Sequence, residues 1–175
     1  MKKLLAALLV LCLLLPAALA DEAASSTDFT AIRINEFMAS NGDTIEDKNG
    51  ESSDWIELYN TSDQDVNLKG LCLSDGKKNL EKFVFPEVIL PAHGYLVVFC
   101  GEEEEIIDGE IHVSFKLSAD GEKVVLSFGG QILDIVSFDA QEKDVSYARV
   151  DEKDWAFCHT PTPGAENVFG DSLNP

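Results

Sequence analysis

Residues 54–60, Asp54-Trp55-Ile56-Glu57-Leu58-Tyr59-Asn60, decide the fold class of this chain. Aliphatic side chains alternate there with aromatic and acidic ones, and this period of two is typical of a β-strand with one face against a core. Residues 32–35 (IRIN) have the same period. We predict two strands whose Ile and Leu side chains are buried, and we interpret Glu36 and Glu57 as solvated strand residues.

Strand-like runs of this kind recur along the chain. They are rich in Val, Ile, Phe and Tyr and are separated by Gly, Asn, Asp and Pro, whereas no helical apolar stripe appears after residue 20. The pattern predicts an all-β sandwich of about eight or nine antiparallel strands. The runs are 32–37, 55–59, 66–73, 83–85, 95–100, 111–117, 123–128, 132–138 and 145–150. The predicted core includes or is bordered by Ile34, Ile56, Leu58, Val98, Val125 and Leu126.

The charge of the chain restricts its partners. The 175 residues carry 13 Lys and Arg against 32 Asp and Glu, a formal charge of -19, and their number suits one ordinary domain. A surface this acidic repels phosphate backbones and anionic lipid heads. We therefore expect no binding to nucleic acid.

The first twenty residues have the pattern of a secretory signal peptide. Lys2 and Lys3 precede an apolar run from Leu4 to Leu15, and a small-residue ending closes with Ala20. Cleavage between Ala20 and Asp21 would leave a still more acidic chain. The apolar run is too short to span a membrane, so we expect an exported chain without membrane insertion.

Several longer segments of the sequence resemble the sequences of one protein family. They are 34–41 (INEFMASN), 54–60 (DWIELYN), 68–75 (LKGLCLSD), 91–99 (PAHGYLVVF), 115–122 (FKLSADGE) and 161–167 (PTPGAEN). Together, from about residue 32 to 167, they are similar to the lamin-tail domain family in its bacterial secreted form. Leu71 stands where the family pattern has Trp. The resulting division is a signal peptide over 1–20, a polar lead-in over 21–30, the domain over 31–167 and a short tail over 168–175.

The resemblance implies an immunoglobulin-like β-sandwich that binds or tethers and has no catalytic apparatus. The expected function is a non-enzymatic binding or structural module outside a bacterial cell or on its surface, contacting a protein or a surface polymer. The alternative is an accessory subunit of a separately encoded spore-coat-type kinase or extracellular hydrolase. A third hypothesis, an acidic hydrolase, would use Glu36 and Glu57 as paired carboxylates.

Two acidic segments stand out. Residues 43–54 contain five acids and one base, and Asp43, Asp47, Asn49 and Asp54 could supply oxygen ligands to a weak calcium site. Ile45 stands where an EF-hand loop needs an oxygen ligand, so a flexible polar loop is the other interpretation. Residues 102–110 (EEEEIIDGE) are predicted to form a solvated loop. No other cofactor is expected.

The histidines and cysteines give no ligand pattern. His93, His112 and His159 lack the spacing of a metal motif. After loss of the leader, the cysteines left are Cys72, Cys100 and Cys158, each with apolar neighbours. Three interpretations stay open: buried free thiols, one disulfide with a spare cysteine, or a reactive thiol.

Overall fold

The computed structural model describes residues 28–169. The predicted leader and its predicted cleavage site, residues 21–27 of the predicted lead-in and residues 170–175 of the tail lie outside this range. A single 3₁₀ turn, Phe29–Ala31, precedes the strands. The strands are β1 (Ile32–Met38), β2 (Asp54–Asn60), β3 (Val66–Asn67), β4 (Cys72–Ser74), β5 (Phe83–Val84), β6 (Ile89–Leu90), β7 (Tyr95–Cys100), β8 (Glu105–Ile107), β9 (Glu110–Val113), β10 (Glu122–Phe128), β11 (Gln131–Phe138), β12 (Ser146–Arg149) and β13 (Trp155–Cys158).

Two main sheets form the molecule. The larger has seven strands in the order β13-β12-β1-β2-β7-β9-β8, and the smaller has four in the order β11-β10-β4-β5. A two-stranded ribbon of β3 and β6 completes the strand pairing of the described chain. This is an immunoglobulin-like β-sandwich, as the sequence predicted.

The core lies between the sheets. The six residues predicted to form or border it are fully buried, and Phe29, within the segment expected to be a polar lead-in, is buried in it as well. Burial of such apolar area is the main favourable term in folding. The core therefore confirms the face assignment of the aliphatic residues in β1 and β2.

Some pairings differ from the predicted pattern. β9 runs parallel to β7, although the other strand pairs are antiparallel. β8 forms within the segment predicted to be a solvated loop, because it pairs with β9 across a turn in which Asp108 and Gly109 both have positive φ. Two strands were not recognised among the apolar runs. β6 has only two residues, and β13 alternates too weakly between buried and exposed side chains.

The outer face of the large sheet is also covered. At one end Met38, Trp55 and Phe99 form a second buried cluster, packed against Ile45 of the loop between β1 and β2. At the other end the residues after β13 cross β1 and β2. Strands covered on both faces lose the simple alternation of buried and exposed residues. No helix within residues 28–169 is long and apolar enough to cross a membrane.

Candidate functional site

A β-bulge places two consecutive polar residues on the outer face of the large sheet. The register of β1 against β2 shifts between Ile34 and Glu36, so Asn35 is an extra residue and Glu36 stands opposite Glu57. A bulge interrupts strict alternation, which is resumed beyond it. Ile34 and Phe37 therefore both face the core, whereas Asn35 and Glu36 both make contacts on the opposite face.

Glu36 and Glu57 are completely buried, with 0% of each residue exposed. The prediction that they are solvated strand residues is wrong, because residues 161–167 lie over them. We call these residues the closing segment. Buried carboxylates require hydrogen-bond donors to offset the loss of water.

The closing segment supplies most of the donors to Glu36. The backbone N–H of Thr162 donates to both carboxylate oxygens at 3.2 Å, and the Thr162 hydroxyl donates to Oε2 at 3.0 Å. From the other side, the hydroxyl of Ser146 on β12 also donates to Glu36. The carboxylate thus joins β1 to β12 and to the closing segment.

Glu57 is held in the same way. The side-chain amide of Asn35 donates to its Oε1 at 2.8 Å, and the backbone N–H of Gly164 donates to Oε2. Asn167 completes the arrangement, since its Oδ1 accepts from Asn35 at 3.0 Å and its Nδ2 donates to the carbonyl of Arg149 at 2.9 Å. The two carboxylates and two amides therefore fix the closing segment to the sheet.

Burial raises the pKa of both glutamates. The pKa of Glu57 is raised from 4.5 to about 7 by desolvation, with a smaller contribution from the negative charge of Glu36. The pKa of Glu36 is raised by the same desolvation, while hydrogen bonds from Ser146 and Thr162 lower it. Because neither carboxylate reaches solvent, the pair serves to attach the closing segment to the sheet. The hydrolase hypothesis would need a substrate to reach these same groups.

A second polar region lies at the end of the sandwich near the β1–β2 loop. Here a cavity of about 550 Å³ separates residues 47–53 from the β7–β8 turn. We call it the acidic cavity, since five carboxylates and one ammonium group line it. Its lining comprises Asp47, Asn49, Glu51, Ser53, Gly101, Glu102, Glu103, Glu105, His112 and Lys116.

His112 of β9 forms part of the wall of the acidic cavity. Its side chain is 8% exposed, and its ring stacks on Phe99 with centroids 5.4 Å apart. The ring nitrogens lie 3.9 Å from Asp47 Oδ2 and 3.8 Å from Glu110 Oε2, both beyond hydrogen-bond distance. Among the described residues, Nε2 is a buried nitrogen without a hydrogen-bond partner.

The four proposed calcium ligands do not share one location. Asp47 and Asn49 line the acidic cavity, but Asp43 and Asp54 do not. Asp47 Oδ1 accepts from the backbone N–H groups of Asn49 and Glu51 at 2.9 Å. Asp54 instead accepts from Leu117 N at 3.2 Å, and burial raises its pKa. Within residues 28–169 no three His, Cys, Asp or Glu side chains are grouped to hold a metal ion, and calcium binding stays a prediction.

A groove of about 380 Å³ borders the closing segment. Tyr59 and Tyr95 stack at its edge with ring centroids 4.6 Å apart, and Arg149 and Asn167 contribute to its wall. The Arg149 guanidinium is already paired with Asp134 at 2.6 Å and bonded to Ile34 O at 2.8 Å. The polar groups in this wall therefore mainly serve the fold.

The remaining histidines and the cysteines have structural surroundings. His93 lies in an exposed turn with its Nε2 2.8 Å from Asp63, and His159 is exposed just after β13. Cys72, Cys100 and Cys158 are free and buried, as one of the three interpretations held. Burial raises the pKa of each thiol, that of Cys100 most strongly, which disfavours the reactive thiolate.

Sequence reasoning missed two groups of residues. Thr162 and Gly164 hold the buried carboxylates through backbone N–H groups, and backbone donors leave no residue-type signal. His112 and Glu105 were treated separately from Asp47, although the chain places all three around one cavity. The signal for the cavity was the presence of two acidic segments in one sequence, which the pairing of β2 with β7 brings together.

A comparison with known protein families agrees with this architecture. The chain is an immunoglobulin-like β-sandwich whose outer face is covered by loops. The family model described as Lamin Tail Domain matches residues 25–140. The chain belongs to the lamin tail domain family, which is a non-catalytic immunoglobulin-like family. β12, β13 and the closing segment lie beyond the matched residues, yet β12 pairs with β1. No curated protein matches the chain.

Proposed function

We propose that the chain is a binding or structural module without enzymatic activity, which is exported and holds a protein or a surface polymer outside the cell. The leader in the sequence supports export, and membership of the lamin tail domain family supports a binding role in general. The acidic cavity is the observation on which the proposal depends, because it is a concave polar site whose carboxylates are partly free of internal partners.

The rest of the polar structure supports the same function. Glu36, Glu57, Asn35 and Asn167 bind one another, the closing segment or neighbouring strands. The hydrogen bonds of these side chains stabilise the fold, so the same polar groups are not free to bind a partner. Recognition is thereby left to the exposed loops at the end of the sandwich, where residues can vary without disturbing the core.

The test is retention of a partner from the envelope of the producing cell. The purified protein is immobilised beside an unrelated protein of equal size and negative charge, and retained proteins and polymers are identified by mass spectrometry. We expect one component to be retained by this protein alone and to compete with free protein. Equal retention by both proteins would contradict a specific binding function.

A further inference from the structure

The seven-stranded sheet extends beyond the four-stranded sheet on one side. β1 packs against β10 and β11, the outermost strands of the small sheet, whereas β12 and β13 continue the large sheet past β11. Within residues 28–169 no strand lies beside β11 on that side. The inner surface of β12 and β13, which a wider small sheet would cover, is therefore left partly open.

Three aromatic side chains lie on this open surface. Tyr147 of β12 is paired with Phe157 of β13, and their ring centroids are 5.1 Å apart. Trp155 stacks on Tyr147 with centroids 5.7 Å apart. Tyr147 and Trp155 are partly buried against the core, but Phe157 is 45% exposed. We call these three residues the aromatic shelf. Exposed apolar area of this kind is typical of a surface that another chain covers.

The edge of β11 beside the aromatic shelf has backbone groups without a neighbouring strand. The N–H of Ile135 donates to the Asp134 carboxylate at 2.9 Å, so it points away from β10. Alternate residues of an antiparallel strand direct their N–H and C=O groups to the same side, so those of Ser137 also point away from β10. An unpaired edge is a template for a further strand.

The edge and the shelf form the walls of one groove. It has a volume of about 370 Å³, with residues 135–137 of β11 on one side and Tyr147 and Trp155 on the other. The groove therefore offers backbone hydrogen bonds along one wall and apolar contact along the other. An extended peptide needs both, since its backbone pairs with a strand and alternate side chains enter pockets.

The charge of the groove differs from that of the chain as a whole. Lys153 and Asp154 are its charged lining residues, and Lys123 on β10 is paired with Ser137 of β11. Neither lysine forms an ion pair with a side chain in the described range. The groove thus has no excess of negative charge, and its two unpaired ammonium groups favour carboxylates.

We propose that this groove binds an extended segment of a partner protein, which pairs with β11 as a fifth strand of the small sheet. The inference goes beyond the proposed function, because it adds a surface separate from the acidic cavity. Apolar side chains on one face of the added strand pack on the aromatic shelf, and carboxylates on its other face lie within reach of the two lysines. The occupant is a strand of alternating apolar and acidic residues.

A second copy of this chain does not fit the same edge in an antiparallel arrangement. Antiparallel pairing of two β11 strands would relate the copies by a two-fold axis perpendicular to the sheets. Because β12 and β13 extend past β11 in each copy, the large sheets of the two copies would occupy the same space. A single added strand lies over β12 and β13 without this overlap.

The experiment measures binding of the fluorescein-labelled peptide Thr-Val-Glu-Val-Glu-Val-Thr to the purified protein by anisotropy. The net charge of the protein, -19 over the full sequence, repels this anionic peptide, so long-range attraction cannot produce the signal. The control peptide has the same side chains but is N-methylated at alternate residues, in both alternations, so that one form cannot pair with β11. Amide hydrogen exchange of Ser137 is measured with and without peptide.

The protein variants are matched in the same way. Phe157→Ser removes an aromatic ring of the shelf, and Phe128→Ser removes a ring that is 44% exposed outside the groove. Lys153→Gln removes an ammonium group of the groove, and Lys78→Gln removes an exposed one elsewhere. Thermal melts confirm that all variants are folded.

We expect Phe157→Ser to weaken peptide binding by about fivefold or more and Phe128→Ser by less than about twofold. Lys153→Gln should weaken it by about two- to threefold, and Lys78→Gln should have no measurable effect. One of the two N-methylated peptides should bind about tenfold more weakly than the parent peptide. Exchange at Ser137 should be fast in the free protein and slow in the complex.

Four results would overturn the inference. They are no binding at peptide concentrations up to about 1 mM, equal weakening by Phe157→Ser and Phe128→Ser, equal binding of both N-methylated peptides and the parent peptide, and slow exchange of Ser137 in the free protein. The last would mean that another segment of this chain or a second copy already occupies the edge. None of these measurements depends on retention of an envelope component, so the inference and the proposed function can fail separately.

Discussion

The buried carboxylate of Glu57 should make the protein less stable as the pH rises from 5 to 8.5. Its pKa is about 7 in the folded chain and has an ordinary value of 4.5. A group whose pKa is raised by folding binds more protons in the folded state over this interval. The stability it confers is present below about pH 4.5 and is lost as the pH rises through about 7.

The size of the effect follows from the two pKa values. Their difference, at 1.36 kcal/mol per pH unit, corresponds to about 3 kcal/mol, and most of it falls between pH 5 and pH 8.5. Burial also raises the pKa of Glu36, Asp54 and Glu122. These groups act in the same direction as Glu57 in the parent protein, so the contribution of Glu57 must be isolated by substitution.

The substitution Glu57→Gln isolates that contribution. The assay is urea unfolding of the parent protein and of this variant at several pH values from 5 to 8.5. We expect the free energy of unfolding of the variant to change with pH by about 2 to 3 kcal/mol less than that of the parent over the interval, whatever its absolute stability. Glu142→Gln, at an exposed position, should leave the pH dependence parallel to that of the parent.

Parallel curves for the parent and Glu57→Gln would refute this reasoning. They would mean that Glu57 ionises in the folded chain as it does in the unfolded one. The closing segment would then leave the carboxylate hydrated, contrary to its position beneath Thr162 and Gly164.

Four further predictions concern the core, a turn, the thiols and the leader. Leu58→Ala should lower the free energy of unfolding by about 2 to 5 kcal/mol in urea denaturation, because Leu58 is fully buried; a cost well under 1 kcal/mol would mean that its face is wrongly assigned. Gly121→Ala should cost about 1 to 3 kcal/mol, since φ is +103° and a Cβ would lie 2.7 Å from Phe138 O, whereas Gly76→Ala, at an open position, should cost much less in the same assay. Thiol counting on the unfolded, non-reduced exported protein should find three free cysteines, and a count of one would show a disulfide. Intact-mass measurement of the exported protein should place its first residue at Asp21, and a mass that includes the leader would contradict cleavage after Ala20.

The alternation of residues was sufficient to predict the sandwich and its core. Ile34, Ile56 and Leu58 are buried as the period of two predicted. The rule held at Asn35 but failed at Glu36, because the bulge between Ile34 and Glu36 depends on how β1 pairs with β2, and the sequence of one strand does not reveal it. It also failed at Glu57, since a residue is solvated only if no distant segment covers it.

The acidic cavity shows the same limit on sequence reasoning. Asp47 and Asn49 were grouped with Asp43 and Asp54 because they are near in sequence. The structure groups them with His112 and with residues near 105, through a parallel pairing of β7 with β9. Parallel pairing brings together strands that do not follow one another directly in the chain. The short-range alternation of residues does not indicate which strands will pair in this way.

The position of the closing segment determines when folding is completed. Thr162 donates to Glu36 across 126 residues of sequence, and β12 and β13 reach the sheet only through pairing that begins on β1. Contacts of such long range make folding slow, because the entropy of loop closure must be lost before they form. A chain emerging from the ribosome cannot make them until residue 164 is free, so β1 and β2 keep hydrated, ionised carboxylates until then. We expect β1 and β2 to stay incompletely packed until the closing segment has been synthesised and has folded over them.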